Sequence, residues 1–243
     1  MSPISSSELN SADHRRAELA RNLAEVNGRI AAACAAAGRD AAEVTLIAIT
    51  KTRPASDVRL LHSLGVSDFG ENRDAEAAPK AAACADLDLA WHFVGQLQTN
   101  KARSVARYAR VVHSVDRPNL VRALSAAARA AGRELTCLVQ VSLDGDPGRG
   151  GVPPDGVRGI AEAVAAEEGL TLGGVMAMAP LGVPPADAFA PLPDCAAAVR
   201  SVRPGATMIS AGMSADLEAA IEAGATHVRI GTALLGARTP PVM

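Results

Sequence analysis

The chain is expected to fold as a single (β/α)8 barrel of the α/β class, a TIM barrel, with an additional N-terminal helix. Three observations lead there. Eight short apolar runs, several rich in β-branched residues, recur along the 243 residues. Each is followed by a stretch rich in Ala, Glu and Arg or by a helical start, the alternation that builds parallel sheets. Eight such units in about 195 residues, with no Ser/Gly-rich linker and no internal repeat, fit a closed barrel better than an open doubly wound sheet.

A polar, Ser-rich lead (residues 1–8) precedes a long Ala-rich helix from Leu9 to Ala37. That helix ends at Gly38, where a C-cap glycine is expected. VTLIAIT (44–50) is a continuous apolar run, the pattern of a strand buried on both faces. Pro54 to Gly65 follows as a helix, with Pro in its first turn and Gly at its end. Further strands are expected at Ser67–Gly70, Ala90–Gly95, Val111–Val115, Leu135–Leu143, Leu172–Ala179, Thr207–Ala211 and His227–Gly231. The barrel with its N-terminal helix is assigned to 9–238, leaving a tail at 239–243.

Composition narrows the function. Lys and Arg number 24 against 26 Asp and Glu, and only five residues are aromatic. A nucleic-acid module would want a basic face and stacking rings, so no nucleic-acid partner is expected. The apolar fraction of 49% excludes a disordered chain. Cys34, Cys84, Cys137 and Cys195 form no C-x-x-C pair and read as small thiols in a reducing compartment. No segment approaches the roughly 20 apolar residues that span a bilayer. MSPISSSELNSADHRR has no apolar run after its charges, so a cytoplasmic protein without membrane association is expected.

Barrel active sites form on the C-terminal ends of the strands. Lys51 ends the first strand in LIAITKT. Desolvation at that edge would lower its pKa and leave a nucleophilic amine suited to Schiff-base formation; the alternative is a lysine snorkelling to the rim. The seventh strand runs into ISAGMSAD (209–216) and the eighth into RIGT (229–232). Both turns are rich in Ser, Thr and Gly and fall where this fold recurrently binds phosphate, unless Ser214 and Thr232 are merely helix N-caps. Arg229 shares the inward parity of Gly231 and needs a partner, either a ligand heteroatom or a barrel carboxylate. A Schiff-base lysine, a phosphate cradle and an inward Arg together suggest pyridoxal 5′-phosphate.

The stretches AITKTRP (48–54), DFGENR (68–73), WHFVGQLQTNK (91–101), VHSVDRP (112–118), GVMAMAP (174–180) and SAGMSADLEAAIEAGATHVRIGTALLGAR (210–238) span nearly the whole chain. With them the sequence resembles the pyridoxal phosphate homeostasis protein family, the alanine-racemase-like single-barrel proteins also called the YggS or PROSC family. The resemblance implies that Lys51 holds the cofactor as an internal aldimine. It implies that Ser210, Gly231 and Thr232 grip the phosphate, Arg229 faces the pyridine nitrogen, and Asn72 lines the ring pocket. Ala211 stands where the family usually has Met, a loss expected to loosen the pocket wall. The glycine-rich loop LDGDPGRGGV (143–152) has no assigned role.

His92 and His113 fall on adjacent strands and could approach one another, but no third ligand is spaced to complete a metal site, so a core or rim role and no metal are expected. His14 and His62 lie on helices, and His227 begins a strand. In the resembling racemases the second catalytic base is a Tyr from a partner subunit, positioned by a second domain. The one tyrosine here, Tyr108, is predicted on a helix before the fourth strand, the wrong end of the barrel for catalysis. A cationic Arg beside the pyridine nitrogen would keep that nitrogen unprotonated and weaken the electron sink. The expectation is a monomeric carrier in intracellular vitamin B6 homeostasis, with little or no turnover and with apo-enzymes as possible recipients. The alternatives are a weak amino-acid racemase, another pyridoxal-dependent enzyme, or an aldolase using Lys51 without cofactor.

Overall fold

The computed structural model describes residues 6–146, 148–180 and 182–236. The expected tail, 239–243, and most of the expected lead lie outside these residues. The described residues open with α1 (Ser6–Ala36), which starts three residues earlier than the Leu9 expected from sequence. The barrel then alternates β1 (Thr45–Ile49), α2 (Ala55–Ser63), β2 (Asp68–Glu71), α3 (Asp74–Ala83), β3 (Ala90–Phe93), α4 (Ala102–Tyr108), β4 (Val111–Val115) and α5 (Pro118–Ala130). The second half continues with β5 (Leu135–Val141), α6 (Val157–Ala165), β6 (Leu170–Ala177), α7 (Pro185–Ala188), α8 (Leu192–Val202), β7 (Met208–Ser210), α9 (Leu217–Glu222), β8 (His227–Ile230) and α10 (Thr232–Leu235).

All eight strands anticipated from the apolar runs are present, pair in parallel and close in sequence order, β8 onto β1. Registers such as Ile47 opposite Arg229 and Gly70 opposite His92 fix which residues share a level. Strand alternation then sorts the side chains. Val112, Val139, Val175 and Ile209 join the large apolar cluster under the helices, while Val111, Leu138 and Met176 form a small separate cluster inside the barrel. His92, His113, Ser210, His227 and Arg229 share that inward parity, so this barrel interior carries an unusual share of polar side chains.

α1 lies across the outside of the barrel seam. Leu19, Leu23, Val26, Ile30 and Cys34 recur at three- and four-residue spacing and are buried with residues of α2, α9 and α10. Each such aliphatic side chain contributes about 1.5–3 kcal/mol on burial. Arg15 adds a two-pronged contact to Asp57 (2.7 and 3.1 Å), and Asn22 donates to the Leu234 carbonyl (2.9 Å). The N-terminal helix thereby holds α10, whose first turn borders the site.

Candidate functional site

A cavity of about 460 Å³ opens at the C-terminal ends of the strands, where this architecture places its sites. Lys51, Asn72, Arg229, Gly231 and Thr232 all line it. Five of the six candidate residues therefore converge, from β1, β2 and β8, on one space.

Lys51 continues the inward face of Ile47 and Ile49, two residues past the end of β1. The backbone around it is held from both sides. Thr52 adopts φ 64°, a conformation that costs a β-branched residue about 1–2 kcal/mol, and its N–H donates to Glu76 Oε2 (2.9 Å). Behind Thr50 lies a buried ion pair. Lys80 Nζ donates to Glu71 Oε1 (2.5 Å) and to the Thr50 carbonyl (2.7 Å), and the Thr50 hydroxyl donates to the same Glu71 oxygen (2.6 Å). Glu71 is fully buried, and its Oε2 has no hydrogen-bond partner among the described residues. These contacts fix the point from which the Lys51 side chain departs.

At Asn72, a lining residue, the chain just past β3 comes very close. A Cβ on Gly95 would stand 2.1 Å from the Asn72 carbonyl oxygen, so only glycine fits there. The turns after β7 and β8 meet as neighbours. Ser214 Oγ accepts the Ala233 N–H (3.2 Å), and the Gly212 carbonyl accepts the Arg229 N–H (2.9 Å). Gly212, at φ 89°, lies so near α9 that a Cβ would stand 2.7 Å from that of Ala220. Neither hydroxyl residue is the N-cap of its own helix: those positions belong to Asp216 and Gly231. Ser214 instead reaches across to the first turn of α10 and lines the cavity.

Ser210 requires correction. It is fully buried, one level below the cavity, and is not among the residues lining it. Its hydroxyl is taken up by Arg229 Nη1 (2.7 Å) and His113 Nδ1 (3.0 Å). β7 ends at Ser210, and the chain then turns so that the serine four residues on, Ser214, faces the cavity. Ala211 is likewise fully buried in the outer apolar cluster, so the residue at that position does not form the pocket wall.

Arg229 is 5% exposed, and its hydrogen bonds go to Ser210 and to a backbone carbonyl rather than to a barrel carboxylate. Nη1 donates to the carbonyl and hydroxyl of Ser210 (both 2.7 Å), and Nη2 donates to the Ala177 carbonyl (2.9 Å). Burial pulls its pKa down to about 10, against the attraction of Asp216, so at neutral pH it remains a cation. No described lining residue is acidic, while Lys51, Arg149 and Arg229 are basic.

The glycine-rich loop acquires a place. Gly148 and Arg149 form part of the cavity wall. Gln96 donates to the Gly148 carbonyl (3.1 Å), Gln140 to the Arg149 carbonyl (2.8 Å), and Arg149 itself pairs with Asp144 (2.6 Å) and the Ala179 carbonyl (2.9 Å). Gln96, Gln140 and Arg149 were not singled out from sequence as site residues, although Gln96 lies in the quoted WHFVGQLQTNK stretch and Arg149 in the quoted glycine-rich loop; Ser214 was weighed there as a phosphate ligand against a helix N-cap, but Ser210 was assigned the phosphate instead. Tyr108 is not part of the cavity; its hydroxyl donates to Asp74 (3.3 Å), and burial together with that carboxylate raises its pKa. His92 and His113 do meet, with Nδ1 and Nε2 2.8 Å apart in the barrel interior. No group of three metal-ligating side chains occurs among the described residues, nor is any of their helices long and apolar enough to cross a membrane.

Comparison with known proteins adds to this geometry. The alanine racemase N-terminal domain profile matches residues 18–239. The pyridoxal phosphate homeostasis protein of Mycobacterium tuberculosis is 45% identical over 95% of this chain and 97% of its own length. That of Escherichia coli K12 is 37% identical over 91% and 97%. Among solved structures, PipY of Synechococcus elongatus with PLP bound superposes with a TM-score of 0.78 at 34% identity, covering 90% of this chain and all of that one. Alanine racemase from Corynebacterium glutamicum shares the fold at 15% identity and a TM-score of 0.65; the match covers 60% of that longer chain.

Proposed function

Because the chain belongs to the pyridoxal phosphate homeostasis protein family, within the wider alanine racemase N-terminal domain fold, we propose that it binds pyridoxal 5′-phosphate in the cavity above the barrel. In this reading it serves as a carrier in intracellular vitamin B6 homeostasis rather than as an enzyme. The observation that carries the reading is the cavity's polarity: an amine, two guanidinium groups and two Ser/Thr/Gly turns, with no described carboxylate in its lining. That donor set suits an anion bearing an aldehyde.

Lys51 would link covalently to the aldehyde. Ser214, Gly231 and Thr232 would hold the phosphate, with Ser214 taking the part first assigned to Ser210. Asn72 would flank the ring. The bound cofactor supplies an electrophilic carbon and a conjugated ring able to delocalise charge. Arg229, a permanent donor, would offer the ring nitrogen an N–H and oppose its protonation. Tyr108, its hydroxyl engaged by Asp74, lies outside the cavity, so the second proton-transferring group of a racemase has no evident source. The four cysteines are buried free thiols, which accords with a cytoplasmic setting, and we expect the protein to act as a monomer.

The test is spectroscopic. Adding pyridoxal phosphate to the purified chain should give a yellow species that borohydride fixes onto Lys51, with no racemisation of a panel of amino acids. Lys51→Ala should stay colourless. Tight cofactor binding retained in that variant would overturn the assignment, and rapid α-proton exchange would revive the enzyme reading.

A further inference from the structure

We propose that Asp68, His92, His113 and Ser210 form a directional hydrogen-bond relay that crosses the barrel interior and orients Arg229 from behind. The chain of contacts is continuous. Asp68 Oδ1 lies 2.9 Å from His92 Nε2, and His92 Nδ1 lies 2.8 Å from His113 Nε2. His113 Nδ1 lies 3.0 Å from Ser210 Oγ, which accepts from Arg229 Nη1 at 2.7 Å. Five strands contribute one residue each: β2, β3, β4, β7 and β8. Only Asp68, at the start of β2, has appreciable solvent contact, with 23% of its side chain exposed.

The direction follows from the acceptor at one end. An ionised carboxylate only accepts, so His92 Nε2 must carry a proton. In neutral His92, Nδ1 is then an acceptor, which places a proton on His113 Nε2. The same logic leaves His113 Nδ1 an acceptor, to which the Ser210 hydroxyl donates. Ser210 thereby turns its lone pairs toward Arg229 and cannot offer its proton to the cavity. Burial, with His92, Arg229 and His227 nearby, pushes His113 well below its usual pKa and keeps it neutral. Adding a proton at His92 would reverse His113 and release the hydroxyl of Ser210. The groups facing His92 are Asp68 from β2, His113 from β4 and His227 from β8, whose ring centroid is 6.5 Å away.

The four are positioning residues. The consequence for a ring nitrogen opposite Arg229 rests on the function proposed above; the relay itself does not. Ring-nitrogen NMR of the full chain without cofactor should show both histidines carrying a proton at Nε2 and Nδ1 of His113 bare. Asp68→Asn, whose amide can face either way, should redistribute the His113 tautomers. It should also weaken pyridoxal phosphate about 3–10-fold, the worth of one hydrogen bond, and displace the absorption of the bound cofactor. Ser210→Ala should displace that absorption while leaving His92 as in the parent. A purely structural role would lower stability without moving the His113 signals. Nδ1–H on His113 in the parent chain overturns the relay, as do His113 signals that ignore Asp68→Asn. If the parent fails to bind the cofactor, the function falls while the tautomer results still decide the relay.

Discussion

Replacing Lys80 by Met removes the cation that neutralises Glu71 directly behind the attachment point of Lys51. The side chains are 7% and 0% exposed, so water cannot take over the role of the ammonium group. Glu71 would keep one donor, the Thr50 hydroxyl, and the Thr50 carbonyl would lose its side-chain donor. Breaking a buried pair from one side costs about 3–5 kcal/mol, because the remaining charge is left uncompensated. At about 2–4 °C per kcal/mol for a chain of this size, the apparent Tm should fall by about 6–20 °C. The double variant Glu71→Leu/Lys80→Met removes both charges and should recover most of that loss. It should not recover cofactor affinity fully, since the backbone ahead of Lys51 stays unanchored. Thermal and urea unfolding followed by circular dichroism, with pyridoxal phosphate titrations on each variant, measure both effects. A Lys80→Met cost below about 1 kcal/mol, or a double variant less stable than the single, refutes the reasoning.

Three other outcomes follow from named contacts. Burial holds His227 at about 4, against an ordinary 6.5, so the unfolded chain takes up a proton in this window that the folded chain refuses. Stability is therefore full above pH 6.5 and falls by up to about 3 kcal/mol toward pH 4, with buried His113 adding in the same direction; an unfolding midpoint equal at pH 7.5 and 4.5 would contradict this. Ser214→Ala should weaken pyridoxal phosphate about 10-fold in equilibrium titrations while leaving the affinity for pyridoxal, which lacks the phosphate, within about twofold. Gly95→Ala forces a methyl against the Asn72 carbonyl and should cost about 1–3 kcal/mol by urea denaturation and reduce cofactor affinity.

The fold was legible because its signals are local. β-Branched runs such as Thr45–Ile49 and glycine stops such as Gly38 declare strands and helix ends within a few residues of sequence. Alternation alone placed Arg229 inward with Gly231. The site was legible where a residue sits at a strand end, as Lys51 does. It was less legible where the chain bends: Ser210 ends β7 and Ser214 follows in the turn after it, and composition offers no means of telling which lines the cavity. The partners of Arg229 were hidden for a related reason, since two of its three contacts are carbonyls, which every residue possesses.

By itself, then, the sequence determined the order and type of the elements, the barrel they build and the rim that carries Lys51 and Gly231–Thr232, because periodicity and turn chemistry act over one or two turns of chain; Asn72 was picked out only by the family resemblance. Barrel closure decided the rest. Bringing β2, β3, β4, β7 and β8 around one axis sets Asp68, His92, His113, Ser210 and Arg229 within hydrogen-bond reach of one another in succession. The same closure brings Arg149 and Gln96 into one cavity wall with Lys51. Such contacts join residues far apart in the chain, and their geometry depends on strand register and on small rotations at strand ends, which no local pattern encodes.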